Sequence, residues 1–71
     1  MILPVINTRN TGRNLRHAIT DSGYSVSDIA AILGVTNSNV YKWLRGDVLP
    51  NIDNLYAISM ITNVSINDIL A

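Results

Sequence analysis

The chain has no cysteine, so neither a disulfide framework nor a cysteine-based zinc site can hold it together. Its single histidine, His17, has no second histidine or cysteine with which to share a metal, so a surface imidazole is the better reading than a ligand. No apolar run approaches the ~18 residues of a membrane span. The start Met1-Ile2-Leu3 also lacks the basic residues and long apolar core of a secretory leader, so a cytoplasmic location is expected. The triplet Asn63-Val64-Ser65 has the form of a glycosylation acceptor, but such triplets are common by chance and no secretory signal accompanies it. Internal repeats, linkers and low-complexity tracts are missing. Charge is scarce: 14% of residues are charged and the net charge is zero, which argues against a protein that grips nucleic acid by bulk positive charge. The five aspartates and His17 are scattered, with no glycine-rich phosphate loop and no nucleophile and base pairing. An enzyme is not expected, nor is a metal, a cofactor or a small-molecule ligand.

What is present is apolar. Hydrophobic residues make up 48% of the 71, enough for one domain and not two. A chain this short buries only about 60% of its surface on folding, so its core has to come from efficient helix packing. All five basic residues, Arg9, Arg13, Arg16, Lys42 and Arg45, fall in two patches, and none follows Arg45. A local basic face on a neutral body is therefore expected.

In chain order, residues 1–10 have no helical period, and Pro4 disfavours helix at Leu3. They read as an arm whose apolar Ile2, Leu3, Val5 and Ile6 need a body or a second subunit to pack on. The folded domain is then expected over residues 11–71. Thr11 can cap a first helix, with Leu15, Ala18 and Ile19 as its core stripe and Gly23 beyond its end. Ser25 with Asp28 has the form of a capping box, and Val26, Ile29, Ala30 and Leu33 give a second helix one apolar face. Gly34 fits the left-handed position that stops a helix, and Thr36 can cap the next only two residues later. The third helix then buries Val40, Trp43 and Leu44 and presents Ser38, Lys42 and Arg45, flanked by Asn39 and Tyr41, with Asn37 in its first turn. Trp43 is a core residue on this reading rather than a stacking platform. Gly46 stops that helix, and Pro50 lies in the loop after it. Asn51 can cap a fourth with the stripe Ile52, Leu55 and Ile58, and Asn63 can close it. Tyr56, Met60 and Ile61 fall off that stripe, which calls for a second partner. Ser65 can cap a short fifth helix whose apolar side is Ile66, Ile69 and Leu70. The expected fold is all-α, five helices and no strands.

With those pieces placed, the sequence resembles the Cro/CI-type (XRE-type) helix-turn-helix family of bacterial and phage regulators, small Firmicutes and phage regulators above all. The residues that carry the resemblance are Ile29-Ala30, Leu33-Gly34-Val35, Val40-Tyr41-Lys42-Trp43, Gly46 with Pro50, and the tail Asn63 to Leu70. The resemblance implies a lambda-repressor-like domain, with helices two and three forming the helix-turn-helix and helix three entering the DNA major groove. It implies base reading by Asn37, Ser38 and Lys42, a set with the right chemistry. Asn pairs with adenine, Lys with guanine acceptors and Ser with several edges, and Tyr41, beside them, can touch a thymine methyl as a base reader, or a phosphate. Ser25, Asn39 and Arg45 match positions at phosphates, and Arg9 and Arg13 are weighed equally as phosphate contacts or solvated charges. Double-stranded DNA is the implied partner and a homodimer the expected state, through helix five with Ile66, Ile69 and Leu70, as the resemblance suggests, or through helix four, with Met60, and the arm.

Three positions depart from the family pattern. Where the family usually places a Gln at the start of helix two, this chain has Val26, so that brace is lost or replaced. Where it often pairs an Arg with a Glu between helices one and three, this chain has Ile19 and Leu44. Both partners have become apolar together, a replacement that leaves no lone buried charge. Five basic residues are few for a DNA binder, so dimerisation is expected to be required. The competing reading is a protein-binding adaptor, such as an antitoxin or anti-repressor-like module, that docks its partner with the arm and helix four.

Overall fold

Asn7 starts the ordered helices in the computed structural model, which describes residues 5–71; Ile2, Leu3 and Pro4 of the expected arm lie outside the described residues. The Asn7 side-chain oxygen accepts from the backbone N–H groups of Arg9 and Asn10 at 3.0 and 3.1 Å. This cap begins α1, Thr8–Asp21, so the expected cap at Thr11 is corrected: Thr8 to Asn10 form the first turn, and Thr11 is fully buried inside the helix. Asn is the stronger cap of the two, and tertiary packing supports the same choice. A Cβ on Gly46 would lie 2.8 Å from the Arg9 Cα and 3.0 Å from the Thr8 carbonyl oxygen, so this extra turn rests on the end of a later helix.

The other four helices are α2, Val26–Leu33, α3, Asn37–Arg45, α4, Ile52–Thr62, and α5, Ile66–Leu70. Each is capped by the residue expected: Ser25, Thr36, Asn51 and Ser65 accept from the backbone three residues on. Together they enclose one core of Leu15, Ile19, Ile29, Ala30, Val40, Trp43, Leu44, Leu55, Ile58 and Ile69. Ile19 and Leu44 share that core, as their joint change to apolar residues requires. Full burial of a Leu or Ile contributes about 1.5–3 kcal/mol, and Leu15, Ile29, Ile58 and Ile69 have no exposed surface at all.

The closest helix pairing is set by a residue with no side chain. A Cβ at Gly12 would stand 2.6 Å from the Leu44 carbonyl oxygen and 2.7 Å from that of Trp43, so α1 lies directly on the last turn of α3. On its other flank α1 holds α5. Asn14 Nδ2 donates to the carbonyls of Ile69 and Asp68 at 3.0 and 3.3 Å, satisfying groups that a five-residue helix leaves unpaired at its end.

One expected core residue is not in the core. Ile52 is 68% exposed, while Leu55 and Ile58 are buried. Each three-residue step falls about 60° short of a full turn, so the stripe Ile52, Leu55, Ile58 spirals across the helix and the core takes only its second half. Ile52 instead shares a face with Tyr56 and Met60, which are 59% and 67% exposed.

Candidate nucleic-acid interface

The head of α2 is fixed by a reciprocal pair of hydrogen bonds. Ser25 Oγ accepts from the Asp28 N–H at 3.0 Å, and the Asp28 carboxylate accepts from the Ser25 N–H at 3.0 Å. The backbone hydrogen bond from Ser25, and then the bond with its side chain, hold the Asp28 carboxyl below its ordinary range. Ser25 is exposed but its N–H is committed to Asp28. Its hydroxyl proton is shared with that carboxylate, so a phosphate must compete with Asp28 for it.

At the far end of α2, Gly34 takes φ 70°, ψ 32°. No atom lies within 4 Å of a Cβ built there, so the left-handed backbone alone demands glycine. The Val35 N–H donates to the Ala30 carbonyl at 3.0 Å, closing α2, and Thr36 Oγ1 then accepts from the Asn39 N–H at 3.1 Å to open α3. Two helices are thus joined across three residues. Their apolar faces share one core, and that turns the rest of α3 outward.

On that outward side the structure brings together six of the residues expected there: Asn37, Ser38, Asn39, Tyr41, Lys42 and Arg45 are all exposed. Two of them are already engaged. Asn37 Nδ2 donates to Ser27 Oγ at 2.9 Å, linking the first turn of α3 to the second residue of α2. Arg45 Nε donates to Asp47 Oδ2 at 3.1 Å, with both side chains more than half exposed. A pair so exposed is worth little, and the remaining guanidinium N–H groups stay available to a phosphate.

Arg9 is exposed at the start of α1, against Gly46 at the end of α3, and Arg13 is exposed one turn further along α1. The residues expected at a dimer interface are divided. Ile69 is corrected: it has no exposed surface because it completes the chain's own core. Ile66 and Leu70 are half-buried against that core, and Met60 is open to solvent.

Sequence reasoning passed over Gly12, Asn14 and Ser27. An isolated glycine inside a helical pattern was a legible signal for the first, since it usually has a packing reason. The partners of Asn14 and Ser27 are distant in sequence and left no local trace. Among the described residues no pocket opens, no group of three metal-binding side chains forms, and no helix is long and apolar enough to cross a membrane.

Comparison with known proteins follows the same outline. A family model described as helix-turn-helix matches residues 15–69. The crystal structure of the restriction-modification controller protein C.AhdI from Aeromonas hydrophila superposes with a TM-score of 0.76, covering 87% of this chain and 94% of that one, at 21% identity. At that identity the match is one of fold. A search of curated proteins finds no match.

Proposed function

The chain belongs to the XRE-type helix-turn-helix family of DNA-binding transcriptional regulators, and from that premise we propose that it binds a two-fold symmetric operator as a homodimer, with α3 in the major groove, and represses by occupancy. The observation that carries this reading is the outward face of α3. Ser38, Tyr41 and Lys42 are exposed on a helix whose other side is locked into the core by Val40, Trp43 and Leu44. A rigid helix with uncommitted donors and acceptors on one side suits base edges. Ser38, Lys42, Tyr41 and Asn37 read bases; Ser25, Asn39, Arg45, Arg9 and Arg13 contact phosphates.

Asn37 acts with Ser27. One amide hydrogen is held by the Ser27 hydroxyl, which fixes the side chain while its oxygen and second hydrogen remain free for a base edge. Val26 packs against the core, so the Ser27 to Asn37 bond spans the α2 to α3 junction that Gln braces elsewhere in the family.

Dimerisation follows from counting charge. With five basic residues in all, a single protomer makes few phosphate contacts and binds weakly at physiological salt. The surface supporting a second copy is the α4 face of Ile52, Tyr56 and Met60. It carries no charge, and its even four-residue spacing lets an antiparallel copy set Ile52 against the partner's Met60 around a central Tyr56, as an isologous contact requires. The same face favours the second reading, a protein-binding adaptor, in which α4 docks a different protein.

A fluorescence titration on DNA from the chain's own upstream region tests the proposal. Ser38→Ala and Lys42→Ala are each expected to weaken binding to the preferred duplex by about 1–3 kcal/mol. If neither change weakens it, α3 is not the reading helix. Co-purification of a partner protein without measurable DNA affinity would support the adaptor.

A further inference from the structure

Three of the five basic residues, Arg9, Arg13 and Arg16, lie outside the helix-turn-helix, on α1, and all three are exposed. At about 100° per residue they fall within about 60° of one another, on the flank of α1 next to Gly12. Gly12 rests on the last carbonyls of α3, and Arg9 rests on Gly46. The opposite flank is occupied by Asn14 holding α5. The arginine stripe therefore begins where the outward face of α3 ends, and the two basic patches of the sequence meet at the Arg9 to Gly46 contact.

Among the described residues, no acidic side chain pairs with this stripe. Arg45 with Asp47 is the one ion pair among the described residues, so the three arginines have no acidic partner. Arg9 and Arg13 are four residues apart and Arg13 and Arg16 three, spacings at which like charges repel. The first turn of α1 holds Arg9 and no acidic residue, at the helix end where the backbone dipole disfavours a cation. Local energetics oppose the arrangement at each step.

We infer that Arg9, Arg13 and Arg16 form a second phosphate-binding track, on which α1 follows the backbone of the duplex beyond the bases that α3 reads. This rests on the DNA-binding reading above and adds Arg16 and a direction to it. From Arg9 to Arg16 the helix rises about 10 Å, and one strand of duplex DNA carries about three phosphates over the same axial distance. Three charges meet three charges, without base contacts, so the track adds affinity and salt dependence but no sequence preference.

The test is the salt dependence of binding to the preferred duplex and to a random-sequence duplex, for wild type and for the triple variant Arg9→Gln, Arg13→Gln, Arg16→Gln. Each neutralised phosphate contributes about 0.9 to the slope of log affinity against log salt, so the variant's slope should be shallower by about 2.7 per bound protomer. Between 50 and 200 mM salt, wild type should lose about 40-fold more affinity per protomer than the variant. The ratio of preferred to random affinity should be unchanged. Arg16→Gln alone should reduce the slope by about 0.9, and the triple Lys variant should restore it. An unchanged slope, with Lys42→Ala still weakening binding, overturns the track and leaves the α3 reading standing. An unchanged slope with loss of binding to poly-glutamate would assign the stripe to an acidic protein and likewise overturn it. Absence of any DNA binding by wild type removes both.

Discussion

Gly12→Ala sets two opposing effects against each other in one methyl group. Alanine is the better helix former by about 1 kcal/mol, and Gly12 lies inside the 14-residue α1, so helix propensity alone predicts stabilisation. The new Cβ would stand 2.6 Å from the Leu44 carbonyl oxygen and 2.7 Å from that of Trp43. Ordinary carbon to oxygen contact begins near ~3.3 Å, so α1 and α3 must part by roughly 0.7 Å. Both obstacles are backbone, and neither can rotate away. Overpacking of this kind costs about 1–3 kcal/mol, and parting the helices also loosens Leu15, Ile19 and Leu44, which pack in the core between them. The top of that range, less the propensity gain, leaves a net loss of about 2 kcal/mol. A domain of this size holds about 4–10 kcal/mol in all, so the change is large. At about 4–8 °C per kcal/mol, the midpoint should fall by roughly 10 °C. Thermal unfolding followed by circular dichroism measures it, with the exposed Thr20→Ala in the same helix as a control that raises helix propensity without the clash. A midpoint equal to or above wild type would refute the close approach of α1 and α3 and, with it, the juxtaposition of Arg9 and the end of α3.

Thr11 is fully buried and its hydroxyl has no hydrogen-bond partner, so Thr11→Val should leave stability unchanged or raise it by up to about 1 kcal/mol; a loss larger than that in urea unfolding would show that the hydroxyl is bonded. The Asp28 carboxyl is depressed by its hydrogen bonds with Ser25, so the stability it contributes is present above the unfolded value of about 3.9 and is lost as pH falls through the lower folded value. Asp28→Asn should flatten the stability profile in that acid window, and an unflattened profile would mean that the capping box does not hold in solution. Ser27→Ala should leave the fold intact and reduce discrimination at the base read by Asn37, by up to about tenfold for one hydrogen bond, as measured by competition between single-base variants of the preferred duplex. Tyr56→Asp places a charge at the centre of the α4 face and should shift the protein to monomer in sedimentation, weakening DNA binding at fixed protein concentration. An unchanged dimer would move the interface elsewhere.

The helix-turn-helix was legible because its signals are local. Ser25 with Asp28, Gly34, Thr36 and Gly46 each act within a few residues of themselves, and each sits in the structure where its chemistry places it. The start of α1 was misread: Asn7 is the stronger cap than Thr11, and the packing of Thr8 and Arg9 against Gly46, which accompanies the extra turn, is distant in sequence. Ile52 was misplaced because three-residue spacing reads as one face when it spirals around the helix. Ile69 was offered to a partner because a five-residue helix shows apolar residues without showing which of them its own domain consumes. At the candidate site, the outward set on α3 could be read from periodicity. The links that orient it, Asn37 to Ser27 and Arg9 to Gly46, join residues from separate elements and exist only once the helices have packed.

The most direct measurement of the central claim is selection of preferred duplexes from a random pool, carried out in parallel with wild type, Ser38→Ala and Lys42→Ala. Reading by α3 in a symmetric dimer predicts a palindrome with half-sites about one helical turn apart, about 34 Å, and each variant should lose preference at its own one or two positions in both halves. A pool with no enriched sequence, or a palindrome selected identically by all three proteins, would contradict it.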